Sequence, residues 1–378
     1  MKDRIHFISF FLLVFSLIFI YPLSLVIPIS VYFIAMAING IIILYLFIIE
    51  RRKINLKLVI FFLLITLCLT FIFLLQEASE IKRLVVSIVT LCILPIVFHI
   101  NSILMNQKYR AKLTNSLFWI AIFAGIFGLI QYYFKFPFIP VPEGSMSVNA
   151  IHFRSISFFS SIQQYACFML LVSTLLLIEI KSLRRAIVVW CLGLTSGSQL
   201  LFVGFFLVCF LYLFFRKQYK ILLFISTLLL ISIITLNLLG SSSNKIAQTR
   251  VLQPFIISSD TNFNRHTANN DRVDVWRGVL EHVDNPLTGK VLGDANPYYH
   301  SNYFNAESYF LALYNDGGLL LIIVMFSYLL YRYILLRGNR KIYILLYFFI
   351  GIAVHVLFAI SILWFFFYWH KTYERELT

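Results

Sequence analysis

A chain of 378 residues that is 61% apolar and only 12% charged lies outside the composition of soluble globular domains. Lipid cannot satisfy free backbone groups, and long uncharged runs without strand alternation leave helices as the way to span, so the expected fold is all-α, a polytopic membrane helical bundle. The formal charge of +15 excludes little by itself, because it is gathered in short connectors rather than along one face as a nucleic-acid footprint would be.

Those connectors are "MKDR", "ERRKINLK", "NQKYRAK", "KSLRR", "RKQYK" and "RYILLRGNRK", which are every second connector along the chain. The alternate ones, "YPLSL", "QEASEIKR", "KFPFIPVPEGSMSVNAIHFRS" and the long segment after Leu239, hold few cations or balance them with acids. By the positive-inside rule the first set, with the N-terminus, is cytoplasmic and the second faces outward. No nucleic-acid partner is expected. The five cysteines all lie in apolar runs, so neither a disulfide framework nor a zinc pattern can be argued.

In chain order, the first apolar run follows Lys2 and Arg4 as a signal sequence would. The bulky "FIYPLSLVIPIS" offers no cleavage site, which makes it a retained first span. At about 20 residues per span, helices are expected near 6–21, 26–49, 58–75, 84–100, 115–134 and 161–180. Residues 186–215 are too long for one upright span and short for two. The "TSGSQ" at their middle supplies turn residues, so two short spans meeting at an outward tip are expected, which also keeps "KSLRR" and "RKQYK" on one side. Further spans fall at 221–239 and 319–336. A last run over 342–369 is one tilted helix or two short ones, giving eleven or twelve in all.

The segment 240–306 is far longer than an ordinary helix connector. It divides the chain into residues 1–239, 240–306 and 307–378, and the middle segment forms a single large extracytoplasmic loop. Six Lys/Arg against six Asp/Glu cancel there, so it is no polybasic lipid tail. In "NNDRVDVWRGVLEHVDNPLTG", Trp276, Val279, Leu280 and Val283 recur at helical spacing; Asn270 is placed to cap that helix and Pro286 with Gly289 to stop it. Arg272 lies four residues before Trp276, on the apolar face, where a cation needs an anionic partner. In "HSNYFNAESYFLALYNDGGLL", Asn305 is placed to cap a short helix in which Glu307, Phe310, Leu311 and Tyr314 share a face, broken by Gly317 and Gly318 before the membrane run. That pattern lines a site at the membrane's outer edge.

"NDRVDVWRGVLEHVDNPLTGKVLG" resembles the R-x-x-x-W…P-L-x-G-x-x-G stretch in the long outer loop of bacterial O-antigen ligases and Wzy-type polysaccharide repeat-unit polymerases. "ESYFLALYNDGGLLLIIV" is similar to the segment by which that loop re-enters the membrane, H-N-x-Y-L…G-x-x-G. "FRSISFFSSIQQYACFMLL" and "LGLTSGSQLLFVG" resemble the family's earlier outer-loop Arg and its T-x-S-G-S-R turn. The resemblance covers roughly residues 115–335 and rests on the order and spacing of these motifs. Two departures stand out: Gln199 replaces the Arg of the turn, and Glu307 falls where ligases have His, which points toward the polymerase branch.

The resemblance implies a membrane glycosyltransferase of the bacterial cytoplasmic (inner) membrane, working on its outer face. It would join polyprenyl-diphosphate-linked (undecaprenyl-diphosphate-linked) oligosaccharide units into O-antigen, capsule or exopolysaccharide. The alternatives are an O-antigen ligase acting on a lipid A core and a lipid-linked oligosaccharide flippase. No cofactor is implied, and without a DxD or metal cluster the route is expected to be metal-independent. Membrane lipid and polysaccharide-assembly proteins such as a chain-length regulator and a flippase are the expected partners.

A leaving diphosphate asks for bidentate, always-charged donors, and Arg272 and Arg154 are the candidates, with Arg277 a more solvated third. An attacking hydroxyl asks for a base, Glu307 or His300. Trp276 is a candidate for stacking on a sugar ring, against the alternative of an aromatic belt at the membrane interface.

Overall fold

The structure is a computed structural model. It describes residues 2–26, 31–50, 56–76, 80–140, 154–224, 226–227, 231, 265–292 and 308–353. Among these the chain is all-helical. Its elements are α1 (Lys2–Ile18), α2 (Ile20–Val26), α3 (Val31–Glu50), α4 (Leu56–Leu75), α5 (Ile81–Ile88), α6 (Leu94–Leu104), α7 (Gln107–Phe134), α8 (Ile162–Ile178), α9 (Leu183–Gly193), α10 (Gln199–Phe215), α11 (Arg265–His282), α12 (Tyr309–Leu335) and α13 (Lys341–Ala353). Among the described residues, three helical stretches are long and apolar enough to cross a membrane: Ile81–Leu104, which joins α5 to α6, then α7 and α12. Shorter apolar helices include α8 and α10. The boundaries at 239/240 and 306/307, most of the expected span at 221–239 and the chain after Ala353 lie outside the described residues.

The core is built around α8, whose residues from Gln164 to Ile178 are all buried. A helix apolar on every side belongs inside a bundle. It packs against α7, α9 and α10, and its two mid-helix hydroxyls, Ser173 and Thr174, both donate to the Leu170 carbonyl, so they present nothing unsatisfied to their neighbours. Small residues let these helices approach. A Cβ on Gly193 would meet Met169 at 2.9 Å, and one on Gly204 would meet Phe349 of α13 at 3.1 Å.

Between α5 and α6 the chain makes one π turn, Val89–Ile93, immediately before Pro95. Proline has no N–H for the carbonyl four residues back and clashes with it, and the widened turn absorbs both defects without ending the helix. On the far side of α6, Asn101 forms a buried polar cluster with α1 and α3. Its Oδ1 pairs with His6 Nε2 at 2.7 Å, and its Nδ2 donates to Asn39 Oδ1 at 2.7 Å. Carboxamides exchanged between apolar helices fix their register at modest gain, because each leaves no orphan polar group.

Among the described residues, the basic connectors at the N-terminus, before α7, before α9, after α10 and before α13 gather at one end. Asn106 Nδ2 donates to Asp3 at 2.9 Å, joining the starts of α1 and α7. Glu179, just beyond α8, lies 3.9 Å from Arg340, just before α13, and feels the charge of Arg110 in the first turn of α7. The turn at Gly338–Arg340 packs on α10.

Candidate functional site

The opposite end of the molecule holds the irregular backbone, and two glutamines organise it. Gln131, on the last turn of α7 and fully buried, spends its whole side chain on main-chain groups and one hydroxyl. Its Oε1 accepts from the amides of Ile156 and Ser157 at 3.2 and 2.8 Å and from Ser155 Oγ at 3.0 Å. Its Nε2 donates to the Ser157 carbonyl at 2.8 Å and to the Pro137 carbonyl. This cradle holds the stretch after Arg154, which then crosses to the turn between α9 and α10: Ser155 N donates to the Thr195 carbonyl at 3.1 Å.

The turn is the "TSGSQ" segment. It closes with a short 3-10 stretch, Leu194–Ser196, and Gly197 at φ 58° in the left-handed region. Two short helices meeting at a Ser/Gly turn is what the sequence predicted. Arg154 clamps it, with Nε donating to the Ser196 carbonyl at 3.0 Å and Nη2 to the Gly197 carbonyl at 3.1 Å. Two of the guanidinium nitrogens are therefore committed to the turn. Gln199 begins α10 beside it.

Gln76, the first residue after α4, organises the second lock. Its Nε2 donates to the carbonyls of Thr288 and Asp316 at 2.6 and 3.1 Å, and its Oε1 accepts from the Leu292 amide at 2.6 Å. It thereby ties "PLTGKVL" to the head of α12. The two segments also pair directly. Leu319 N donates to the Pro286 carbonyl at 2.8 Å, Leu320 N to Leu287 at 3.2 Å and Lys290 N to Asn315 at 2.8 Å. Backbone must approach backbone closely for this. Gly289 has φ 76°, and a Cβ there would stand 2.5 Å from the Asn315 carbonyl oxygen. Gly318 has φ 62° and ψ −158° and breaks α12 into two helices in series. The glycines expected to punctuate these segments thus act chiefly by permitting contact.

The lock sets α11 against the head of α12. Val279 is fully buried with Ala312 and Leu311, and Val283 is nearly so. Leu280, expected on the same apolar stripe, is instead 53% exposed, while Val279 and Val283 are buried. Asn270 is no N-cap either: α11 starts at Arg265, so Asn270 lies inside the helix. Pro286 and Gly289 do follow its end, at His282. Trp276 is half-buried, and its indole N–H is buried with no acceptor among the described residues. Arg277 makes an exposed ion pair with Asp274 at 3.9 Å, a contact of little energetic weight.

Position 272 sits on α11 one turn before Trp276 and two before Val279, on the face that meets α12. Its side chain, and Asn305, Glu307 and His300 altogether, lie outside the described residues. The structure thus places Arg154 by the first lock and Trp276 with the backbone of Arg272 by the second. Sequence reasoning missed Gln76 and Gln131. The only signal was a lone carboxamide at the end of each apolar run, just where irregular backbone would need satisfying.

No family model, curated protein or solved structure matches this chain.

Proposed function

We propose that the chain is a polytopic inner-membrane glycosyltransferase that polymerises polyprenyl-diphosphate-linked oligosaccharide units on the outer face of the membrane. The observation that carries this reading is the lock between residues 286–292 and 315–320. It binds the two loop motifs that resemble the ligase and polymerase family into one unit and holds α11 against the membrane-entering helix α12. Arg272 on that face and Arg154 at the turn between α9 and α10 are assigned to the diphosphate, whose charge grows as the glycosyl bond breaks. Glu307 or His300 is assigned to the acceptor hydroxyl, taking its proton as the new glycosidic bond forms. Trp276 brings a half-buried aromatic ring, a group suited to stacking on a sugar. Polyprenyl diphosphate leaves with the electron pair of the broken bond.

The end that gathers the basic connectors is assigned to the cytoplasm and the locked end to the outside. The test is the Arg272→Ala strain with its surface glycan run on a gel. The expected pattern is loss of the long-chain ladder with single-unit capped product retained. A normal ladder would remove Arg272 from the chemistry, and loss of every repeat would favour ligation or flipping instead.

A further inference from the structure

Beyond that reading, and resting on its membrane placement but not on its glycosyl transfer, the basic end carries a second feature. A cleft of about 500 Å³ opens between the connector after α8 and the turn before α13, lined by Ile178, Glu179, Lys181, Arg337, Asn339 and Arg340. Its size is that of a small-ligand site, on the scale of roughly 300–1,000 Å³. Three cations face one carboxylate. Glu179 lies 3.9 Å from Arg340, and the charges of Arg110 and Lys181 act on it as well. One carboxylate cannot balance this set, so the cleft keeps an excess of positive charge at Lys181 and Arg337, both exposed. Lys181 and Gly338 stand in the left-handed region, at φ 58° and 56°, so each wall is a tight turn that presents its side chains from a fixed backbone.

We propose that this cleft binds a phosphate monoester or diester, and specifically the headgroup phosphate of an anionic membrane lipid. A planar Arg fork and a Lys ammonium together suit tetrahedral phosphate oxygens better than a lone carboxylate. The depth argues for lipid over free phosphate. The cleft lies where α8 and α12 end and α13 begins, with Ile178 forming an apolar wall, which is the level at which headgroups meet apolar helix ends.

The test uses the full chain in nonionic detergent, titrated with phosphatidylglycerol, phosphatidylcholine or inorganic phosphate, with adducts read by native mass spectrometry. Phosphatidylglycerol is expected to bind more tightly than phosphatidylcholine. The double variant Lys181→Gln, Arg337→Gln is expected to weaken it roughly 30-fold, about fivefold for each near-surface cation. Both positions are exposed, so folding is not at stake. Lys108→Gln, Lys217→Gln removes the same charge from exposed positions outside the cleft and is expected to leave binding unchanged. Inorganic phosphate binding that the cleft variant abolishes, without preference between the lipids, would assign the site to free phosphate and overturn the lipid headgroup. Equal weakening by both double variants, or no binding of any of the three, would overturn the site itself.

Discussion

Gly318 and Gly289 meet backbone to backbone: a Cβ added to Gly318 would stand 2.6 Å from the Gly289 amide nitrogen. Gly318→Ala must therefore push the two segments apart as well as force alanine into the left-handed region. The expected cost is at least about 2 kcal/mol, read as a lowered thermal midpoint in detergent. Gly338 shares the left-handed φ but has open space around it. Gly338→Ala should cost only about 1 kcal/mol, the conformational contribution by itself.

Gln76→Ala removes three hydrogen bonds and leaves two carbonyls and one amide without that partner. A loss of roughly 2–4 kcal/mol is expected. Gln76→Glu gives a sharper test. An ionised carboxylate only accepts, and here it would face the Thr288 and Asp316 carbonyl oxygens, whereas the protonated acid can donate to one of them. Its pKa would be raised in the fold, so stability should be greater at low pH and fall as pH rises through that value. A pH-independent midpoint would refute the arrangement.

Arg154→Lys separates structure from charge. Lysine keeps the cation but cannot span two successive carbonyls with one planar group. If the clamp on Ser196 and Gly197 matters most, Arg154→Lys should resemble Arg154→Ala in thermal stability, each losing about 1–2 kcal/mol. A lysine variant as stable as the parent would show that charge alone suffices.

Burial pushes the Glu179 carboxyl above the usual carboxylate range, against the pull of Arg340, Arg110 and Lys181. A raised folded pKa means that the group's stabilising contribution is complete below the ordinary carboxylate pKa and is lost as pH rises through the folded value. The difference in thermal midpoint between parent and Glu179→Gln should therefore shift in the parent's favour on acidification from neutral pH. A difference constant across that window would contradict the shift.

The sidedness proposed for the two ends is testable with an impermeant thiol reagent on intact cells, in a cysteine-free background. Leu287→Cys, at an exposed position in the lock, should label from outside, and Lys217→Cys, exposed at the basic end, should not. The reverse pattern would invert the topology and remove the diphosphate assignment with it.

The helical class, the "TSGSQ" turn and the break at Gly318 were legible because each is written in local chemistry: apolar run length, a Ser/Gly cluster, paired glycines. The face of α11 was half legible. Val279 and Val283 are buried as their period implies, yet Leu280 is not, because periodicity reports which residues are apolar and not which of them a neighbour covers. The locks themselves were invisible. Gln76 lies 212 residues from Thr288, and nothing in a single chain marks which carbonyls a glutamine will meet. The π turn before Pro95 was equally hidden, since proline predicts a defect without saying how the helix absorbs it.

The enclosure of α8 carries a consequence for biogenesis. In the membrane placement proposed above, a segment released sideways into lipid before its neighbours exist would have to survive there alone, and α8 suits that wait: its hydroxyls already bond its own carbonyls, and every flank is greasy. Later helices then displace acyl chains rather than water as they close around it, so the driving force for that final wrapping is shape and small-residue fit. Errors there should surface as failed assembly and proteolysis rather than as failed insertion.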